Sequence, residues 1–255
     1  MKRLKLIGRV CLHLLVVAAL FTAFGFIHVE KQKQQIQEVD LRVDHRNGSY
    51  FVDKEQLMAQ LSRNGYGALL GSTRNTLRLR ELEISLKRNP FVADAQAYID
   101  IQGRLSIRVS QREPVLRVIN RHNESFYIDH EGFTMPVSTQ YSAGVMVANG
   151  HIDDRPAPGD SLRNDGLREL FMLNEFLRSN ELYNALFVQI YVNARGEYEL
   201  IPRLGNHTVL LGDLTDLTEK MEKLLALYRS ALDQDGWQQY RQVNLKFKDQ
   251  VICKR

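Results

Sequence analysis

The chain has 255 residues, of which 44% are hydrophobic and 25% charged, with a formal net charge of +4. This length suits one or two domains with real hydrophobic cores. The small positive excess is concentrated at the amino terminus and only two cysteines are present, which argues against a nucleic-acid-binding face and excludes a disulfide-framed fold.

The first feature along the chain is an apolar run from Val10 to Ile27, which follows the basic residues of the amino terminus. As a helix it spans about 27 Å at roughly 1.5 Å per residue, just enough for a bilayer core. A cleaved signal peptide is compatible with Ala23-Phe24-Gly25, whereas the length of the run and a predicted polar helix over Glu30–Gln37 favour a retained anchor. The basic residues that precede the run predict a cytoplasmic amino end and an exported remainder from about Val29.

A small α/β domain is predicted next. Alternation over Val39–Val43 indicates a strand, and Asp53 followed by Gln56 is typical of a capped helix start. A second helix is predicted from Thr76 and ends before Pro90, since the residue before proline avoids helical angles. The two helices therefore follow one strand.

A hairpin closes this domain, with its turn at Gln102-Gly103. Hydrophobic and polar residues alternate on both sides of the turn, which predicts one buried and one solvated face. The buried face is predicted to contain Ala93, Ala95, Ala97, Ile99, Ile101, Leu105, Ile107 and Val109. The polar stretch Gln111–Pro114 then indicates a boundary between two domains.

From Pro114 the pattern changes to short strands separated by turns. Ser125–Pro136 predicts a hairpin, in which Asp129 accepts a backbone hydrogen bond and Gly132 takes an unusual dihedral angle. Helices are predicted over Leu167–Arg178 and Thr215–Leu232. Further strands are predicted over Gly144–Ala148, Val188–Val192, Thr208–Leu211 and Val243–Phe247.

The sequence contains no nucleophile elbow, zinc-protease helix, P-loop or dinucleotide-binding loop, so it lacks these catalytic motifs. Several residues are metal ligands by type but lie in predicted turns, where turn chemistry explains them better: His122, Asp129, His130, His151, Asp153 and Asp154. We therefore predict that the protein is not an enzyme and has no catalytic residue, metal site or cofactor.

Two surfaces remain open to interpretation. The basic residues of the first domain form either a docking surface or, as the residues themselves favour, a solvated helix face: Arg74, Arg78, Arg80, Lys87 and Arg88. The last long strand, Val243–Phe247, is either a free sheet edge that can receive a partner strand or a strand that closes the core. Its alternation predicts Leu245 and Phe247 on one face and Lys246 and Lys248 on the other.

Five segments, taken in order, resemble the bacterial FtsQ/DivIB family, with features of its Bacteroidetes-type members: NPFVADAQAYI, GRLSIRVSQREPV, FYIDHEGFTMP, GVMVANG and VNLKFKDQVICKR. The resemblance implies an α+β protein with a single amino-terminal transmembrane helix, a POTRA-like β-α-α-β-β domain and a mixed "β domain" with a mostly antiparallel sheet. The implied boundaries are a cytoplasmic stub over residues 1–9, the span over 10–28, a membrane-proximal helix or linker over 29–37, and domains over 38–111 and 112–255.

The resemblance also implies a function, that of a non-enzymatic scaffold of the cell-division machinery in the inner membrane, at mid-cell during division. FtsB- and FtsL-like bitopic proteins are the implied partners of the β domain, and other division proteins those of the POTRA-like domain, with no nucleic acid or small-molecule substrate. Strand addition at the carboxyl-terminal edge is the implied binding mode. The implied partner-binding residues are Tyr240, Val243, Asn244, Leu245, Lys246, Phe247 and Val251.

The carboxyl terminus departs from some relatives in its aromatic residues. Phe247 stands where many relatives have tyrosine, and the chain ends in Cys253-Lys254-Arg255 where some proteobacterial relatives carry a tryptophan. Two other functions are considered. An envelope transport or assembly component would favour several POTRA copies and a barrel, and a periplasmic hydrolase would need a cluster of acids and bases that the sequence does not offer.

Overall fold

The computed structural model describes residue 19 and residues 35–45, 48, 50–231 and 240–255. Within these ranges, none of the helices is both long and apolar enough to cross a bilayer. The span predicted over residues 10–28 lies outside the described residues apart from Ala19. The chain forms two compact units, and each is made of three separate segments. Unit 1 comprises the residues up to Asp44, Val52–Arg88 and Val92–Ser110. Unit 2 comprises His45–Phe51, Asn89–Phe91 and Gln111–Arg255.

Unit 1 is built on a three-stranded sheet and has the predicted strand-helix-helix-strand-strand order. The third strand lies between the other two and runs parallel to the first. The elements are β1 (Glu38–Asp44), α1 (Lys54–Leu61), α2 (Leu79–Lys87), β2 (Val92–Ile99) and β3 (Arg104–Gln111).

The first helix begins as predicted, whereas the second begins three residues late. The Asp53 carboxylate accepts the backbone N–H of Gln56 at 2.7 Å, and the Gln56 side chain accepts the N–H of Asp53, which completes a capping box. The second helix was predicted from Thr76 but starts at Leu79. The hydroxyl and the backbone N–H of Thr76 both donate to the carbonyl of Thr73, so these residues form a closed turn instead.

Residues 35–37, which precede β1, are not helical, so the polar helix predicted over Glu30–Gln37 does not include them, and residues 30–34 lie outside the described residues. Ile36 donates its backbone N–H to Ser72 at 2.9 Å and accepts from Gly71 at 2.9 Å. Gln37 donates to the carbonyl of Gly103 at 3.0 Å. Because these backbone groups pair with distant residues, they are not available for helical hydrogen bonds.

The hairpin of β2 and β3 is present, but the prediction that Ile101 belongs to its buried face is wrong. Ala95 and Ile99 are buried, whereas Ile101 is 78% exposed. The Asp100 carboxylate accepts the backbone N–H groups of Gln102 and Arg104, both at 2.9 Å, so the strand ends before Ile101 and the chain turns.

Unit 2 contains a large mixed sheet of nine strands in the order β12-β11-β10-β9-β8-β7-β4-β5-β6. The pairs β4–β7, β7–β8 and β10–β11 are parallel, and the other pairs are antiparallel. The strands are β4 (Pro114–Ile119), β5 (Ser125–Asp129), β6 (Thr134–Pro136), β7 (Met146–Gly150), β8 (Phe187–Val192), β9 (Tyr198–Pro202), β10 (Thr208–Gly212), β11 (Gln242–Asn244) and β12 (Ile252–Lys254).

The helices of unit 2 are α3 (Asp165–Arg178), α4 (Glu181–Leu186) and α5 (Leu217–Ala231). Fully buried leucines of α3 and α5 join the apolar strand residues in one core. The helix α4 was not predicted, because six residues are too few for a helical period to be visible. A signal was present in Asn180, whose side chain accepts the backbone N–H groups of Leu182 and Tyr183 at the helix start.

The turn between β5 and β6 confirms the interpretation of Asp129 and Gly132 as turn residues. One carboxylate oxygen of Asp129 accepts the N–H groups of Glu131 and Phe133 at 3.0 and 2.7 Å, and Gly132 has a φ of 79°. The other oxygen lies 2.6 Å from a guanidinium nitrogen of Arg112, whose side chain is only 12% exposed. In the polar stretch, Gln111 is thus buried and residues 112–114 are half-buried, and all four belong to unit 2.

An aromatic cluster within unit 2 brings together residues that are far apart in the sequence: Phe51, Phe91, Tyr127 and Tyr141. The rings of Phe51 and Phe91 stack with centroids 5.4 Å apart, and Tyr127 meets Phe51 edge to face at 5.8 Å. The Phe51 backbone N–H donates to the Gln111 side chain at 2.9 Å. These contacts explain why residues 45–51 and 89–91 belong to unit 2.

Candidate functional site

The carboxyl-terminal strands occupy one end of the large sheet. β11 lies between β10, to which it is parallel, and β12, to which it is antiparallel. Among the described residues, β12 pairs with no strand except β11. The terminal edge of the sheet is therefore β12, over Ile252–Lys254, and the predicted strand Val243–Phe247 is not an edge.

Val243 and Leu245 close the hydrophobic core. They are 1% and 0% exposed, and the backbone N–H of Leu245 donates to the carbonyl of Leu210 at 2.9 Å. Both residues are therefore occupied by the fold itself. Of the two interpretations of this strand, core closure is the one that the structure supports for these two residues.

The alternation had predicted Leu245 and Phe247 on the same face of the strand, and this prediction is wrong. The strand ends at Asn244, whose side-chain oxygen accepts the backbone N–H of Lys246 at 3.0 Å. This local hydrogen bond turns the chain out of the sheet. Phe247 is consequently 44% exposed.

The other predicted site residues are divided between core and surface. Tyr240 and Asn244 are half-buried, Lys246 is exposed, and Val251 is half-buried against the core beside Cys253. Burial raises the pKa of the Cys253 thiol, which keeps it protonated. Ile252, a 44% exposed apolar side chain on the edge strand itself, was not among the predicted site residues. The alternation of Val251 and Cys253 with Ile252 was the available signal.

The connection from Leu245 to Lys248 is held in place from two sides. Lys223 of α5 donates to the carbonyls of Phe247 and Lys248 at 2.8 and 2.6 Å. Lys246 lies 2.6 Å from the Glu197 carboxylate, and this hydrogen bond, followed by one from Asn193, lowers the Glu197 pKa. The exposed Phe247 is therefore presented on a fixed backbone.

Gly212, at the end of β10, permits this connection to approach. Its φ is 78°, and a Cβ at this position would lie 2.9 Å from the Cγ of Lys246. A side chain would thus be strained twice, by its backbone angle and by the contact. Glycine at this position therefore allows the connection to pack close to the sheet.

A buried lysine, Lys220, stabilises the start of α5. The Lys220 ammonium donates to the carboxylate and the carbonyl of Asp213 at 2.9 and 2.8 Å, and the residue is 6% exposed. The hydrogen bond from Lys220, followed by that from Thr215, lowers the pKa of Asp213 to about 2. This carboxylate is therefore ionised, and one of its oxygens accepts hydrogen bonds from Lys220 and Thr215.

These groups line a cavity of about 460 Å³ beside the connection, with charged residues of both signs. Three of its lysines are engaged with carboxylates or carbonyls: Lys220, Lys223 and Lys246. No cluster of three or more His, Cys, Asp or Glu residues able to hold a metal ion is found in the described part of the chain. What this end of the sheet offers is a backbone edge with two exposed apolar side chains, Phe247 and Ile252.

The basic residues of unit 1 are only partly paired. Arg78 pairs with Glu81 at 2.8 Å, and Lys87 pairs with Asp94 at 2.5 Å. Both pairs are exposed, as expected for a solvated helix face. Nothing in these pairs brings the predicted basic residues together into one site.

Two family models match different parts of the chain. Residues 34–110 match a POTRA-like domain, and residues 113–254 match the family described as FtsQ/DivIB, C-terminal related. A search of curated proteins gave no match. The second match covers more than half of the chain, and the order of both domains agrees with the α+β fold and the large mixed sheet described above. The chain therefore belongs to the FtsQ/DivIB family of non-enzymatic cell-division proteins.

Proposed function

We propose that this protein is a single-pass scaffold of the division machinery whose edge strand β12 receives a strand from a partner protein. The observation that carries the proposal is the terminal position of β12 in a domain of the FtsQ/DivIB family. An edge strand has a row of backbone N–H and C=O groups on its outer side, and an added strand satisfies them.

The side chains near this edge suit a partner with apolar anchors. Phe247 and Ile252 are each 44% exposed, and aromatic and large aliphatic side chains contribute strongly at interfaces. Lys254 and Arg255 are exposed at the end of the chain. Main-chain pairing supplies the register, and the apolar side chains supply the selectivity for the partner.

The proposed partners are small bitopic division proteins of the FtsB and FtsL kind at the β domain, and other division proteins at the POTRA-like domain. The apolar run Val10–Ile27 supports a retained membrane anchor. The basic residues before it support a cytoplasmic amino end and an exported bulk, at mid-cell in dividing cells. The Bacteroidetes-like features of the motifs remain a prediction about origin.

Crosslinking in dividing cells tests the proposal. A photoreactive phenylalanine analogue is placed at Phe247 or Ile252 and, as a control, at Met172, a 64% exposed residue of α3. We expect positions 247 and 252 to capture the same small bitopic membrane protein, and position 172 not to capture it. Equal capture from all three positions, or none from 247 and 252, would overturn strand addition at β12.

Burial decides which proline substitutions test strand addition. Proline at Val243 or Leu245 would damage the core, because both residues are buried and Leu245 donates to Leu210. Proline at Cys253, in the edge strand, is the sharper substitution, provided that circular dichroism shows a folded protein. A fluorescent fusion that stays evenly distributed around the envelope of dividing cells would contradict the scaffold function as a whole.

A further inference from the structure

The solvated face of the unit 1 sheet carries two arginines in direct cross-strand register. Arg42 of β1 is the partner of Arg108 of β3. Both side chains are exposed. Neighbouring strands lie about 4.8 Å apart, and like charges directly opposite each other destabilise a sheet. This arginine pair (Arg42 and Arg108) therefore does not contribute to folding through its own interaction.

The charges around the arginine pair are unequally satisfied. Arg42 binds the Asp40 carboxylate on its own strand at 2.8 Å, and Arg104 binds Glu38 at 3.0 Å. Arg108 has no hydrogen-bond or ion-pair partner among the residues that the structure describes. One guanidinium on this face is left with all its donors open.

The same face is concave and includes an exposed aromatic side chain, Tyr98. A cavity of about 280 Å³ is lined by both members of the arginine pair together with Tyr98, Arg104 and Ser106. Tyr98 is 51% exposed, although it lies within β2. Arginine and tyrosine are among the residue types most enriched where protein interfaces gain their affinity.

The acidic residues at the cavity are engaged by groups other than Arg108. The Asp40 carboxylate is occupied by Arg42, and the Asp100 carboxylate accepts the backbone N–H groups of Gln102 and Arg104. Two of the three guanidinium groups are paired, Arg42 with Asp40 and Arg104 with Glu38, so Arg108 is the one that has no partner among the described residues. A carboxylate supplied from outside can therefore pair with Arg108 without displacing either of these ion pairs.

We propose that this face of unit 1 binds an acidic segment of a partner polypeptide, with a Glu or Asp side chain of the partner held by Arg108 beside Tyr98. The forked guanidinium matches a carboxylate through two parallel hydrogen bonds. The bound carboxylate also relieves the repulsion within the arginine pair. This gives the POTRA-like domain a partner chemistry, and in that respect alone the inference rests on the proposed scaffold function.

The test is a direct binding measurement with the full chain in phosphatidylcholine nanodiscs. The probe is a fluorescein-labelled decapeptide of alternating Glu and Ser, and the matched probe has Gln in place of Glu. We expect the Glu peptide alone to bind. The double variant Arg42→Gln/Arg108→Gln should weaken its binding by about tenfold or more, because charge-assisted hydrogen bonds are lost.

The control variant removes the same charge elsewhere in unit 1. Arg74→Gln/Arg80→Gln replaces two exposed arginines outside the cavity, and we expect less than a twofold change. Equal weakening by both double variants would overturn the proposal, since binding would then depend on net charge alone. Unchanged binding in the first variant, or no binding of the Glu peptide to the wild type, would also overturn it.

Two further measurements keep the outcome decisive. Arg108→Lys keeps the charge but loses the fork, and we expect an intermediate loss of binding with an unchanged unfolding temperature. If the chain instead sediments with phosphatidylglycerol vesicles through Arg42 and Arg108 while the Glu peptide fails to compete, the ligand is a membrane surface and the proposal is wrong. Neither measurement depends on β12, so failure here leaves the scaffold function untouched.

Discussion

The buried ion pair of Arg112 and Asp129 allows the most stringent test of the structure of unit 2. Asp129 is fully buried, and its carboxylate lies 2.6 Å from the Arg112 guanidinium, which also covers the Phe133 ring at 4.4 Å. Replacing Arg112 with Met keeps most of the apolar volume but leaves a buried carboxylate without a counter-charge. Removal of one partner of such a pair costs about 3–5 kcal/mol.

This magnitude corresponds to a loss on the order of 10²–10⁴-fold in the ratio of folded to unfolded unit 2. The assay is guanidinium unfolding of the detergent-solubilised full chain, followed by circular dichroism. Arg78→Met serves as the control, because Arg78 forms an exposed ion pair with Glu81, and we expect no measurable change.

A double variant separates charge from packing. Arg112→Met combined with Asp129→Asn removes the unpaired charge, while the amide oxygen of the new side chain can still accept the N–H groups of Glu131 and Phe133. We expect this double variant to lose only about 1 kcal/mol relative to the wild type. If Arg112→Met alone costs less than about 1 kcal/mol, or if the double variant is as unstable as the single one, the reasoning is refuted.

Three other substitutions have defined outcomes. Gly212→Ala should lose about 2–3 kcal/mol of unfolding free energy, because its Cβ would meet Lys246 at 2.9 Å in a strained backbone; Gly196→Ala, with a φ of 75° but open space, should lose only about 1 kcal/mol. Asp213 has a folded-state pKa of about 2, below its ordinary value of 3.8, so its stabilising contribution is present above pH 3.8 and is lost as the pH falls towards 2. Asp213→Asn should abolish that part of the acid sensitivity, and an unchanged slope of stability against pH would contradict this. Arg108→Glu should raise the unfolding temperature by converting the arginine pair into an opposite-charge pair, and a lower temperature would show that Arg108 supports the fold.

The sequence was most informative where a structural cause is local. Three predictions rested on interactions within a few residues, and the structure confirms them. They are the helix cap of Asp53 with Gln56, the turn of Asp129 with Gly132, and the strand that contains Leu105. The errors at Thr76 and Ile101 are also local. In both, a side chain bonds the nearby backbone and closes a turn that competes with the hydrophobic period.

The candidate site was harder to predict because strand order is not a local property. The hydrophobicity of Val243 and Leu245 does not reveal that a parallel strand lies on one side of β11 and an antiparallel strand on the other. The exposure of Phe247 depends on one hydrogen bond of Asn244 and on two from Lys223. The family resemblance pointed to this end of the chain, and the structure places the sheet edge at Ile252–Lys254 instead of at β11.

The aromatic cluster has a consequence for the modularity of the chain. The two family matches meet between residues 110 and 113, yet Phe51 and Phe91 lie before that point and belong to unit 2. A fragment beginning at residue 112 would lack both rings and would uncover Tyr127 and Met135, which are 1% and 0% exposed in the full chain. A chimera that keeps this core intact must therefore transfer three separate segments, because the folded unit includes more of the chain than the matched segment.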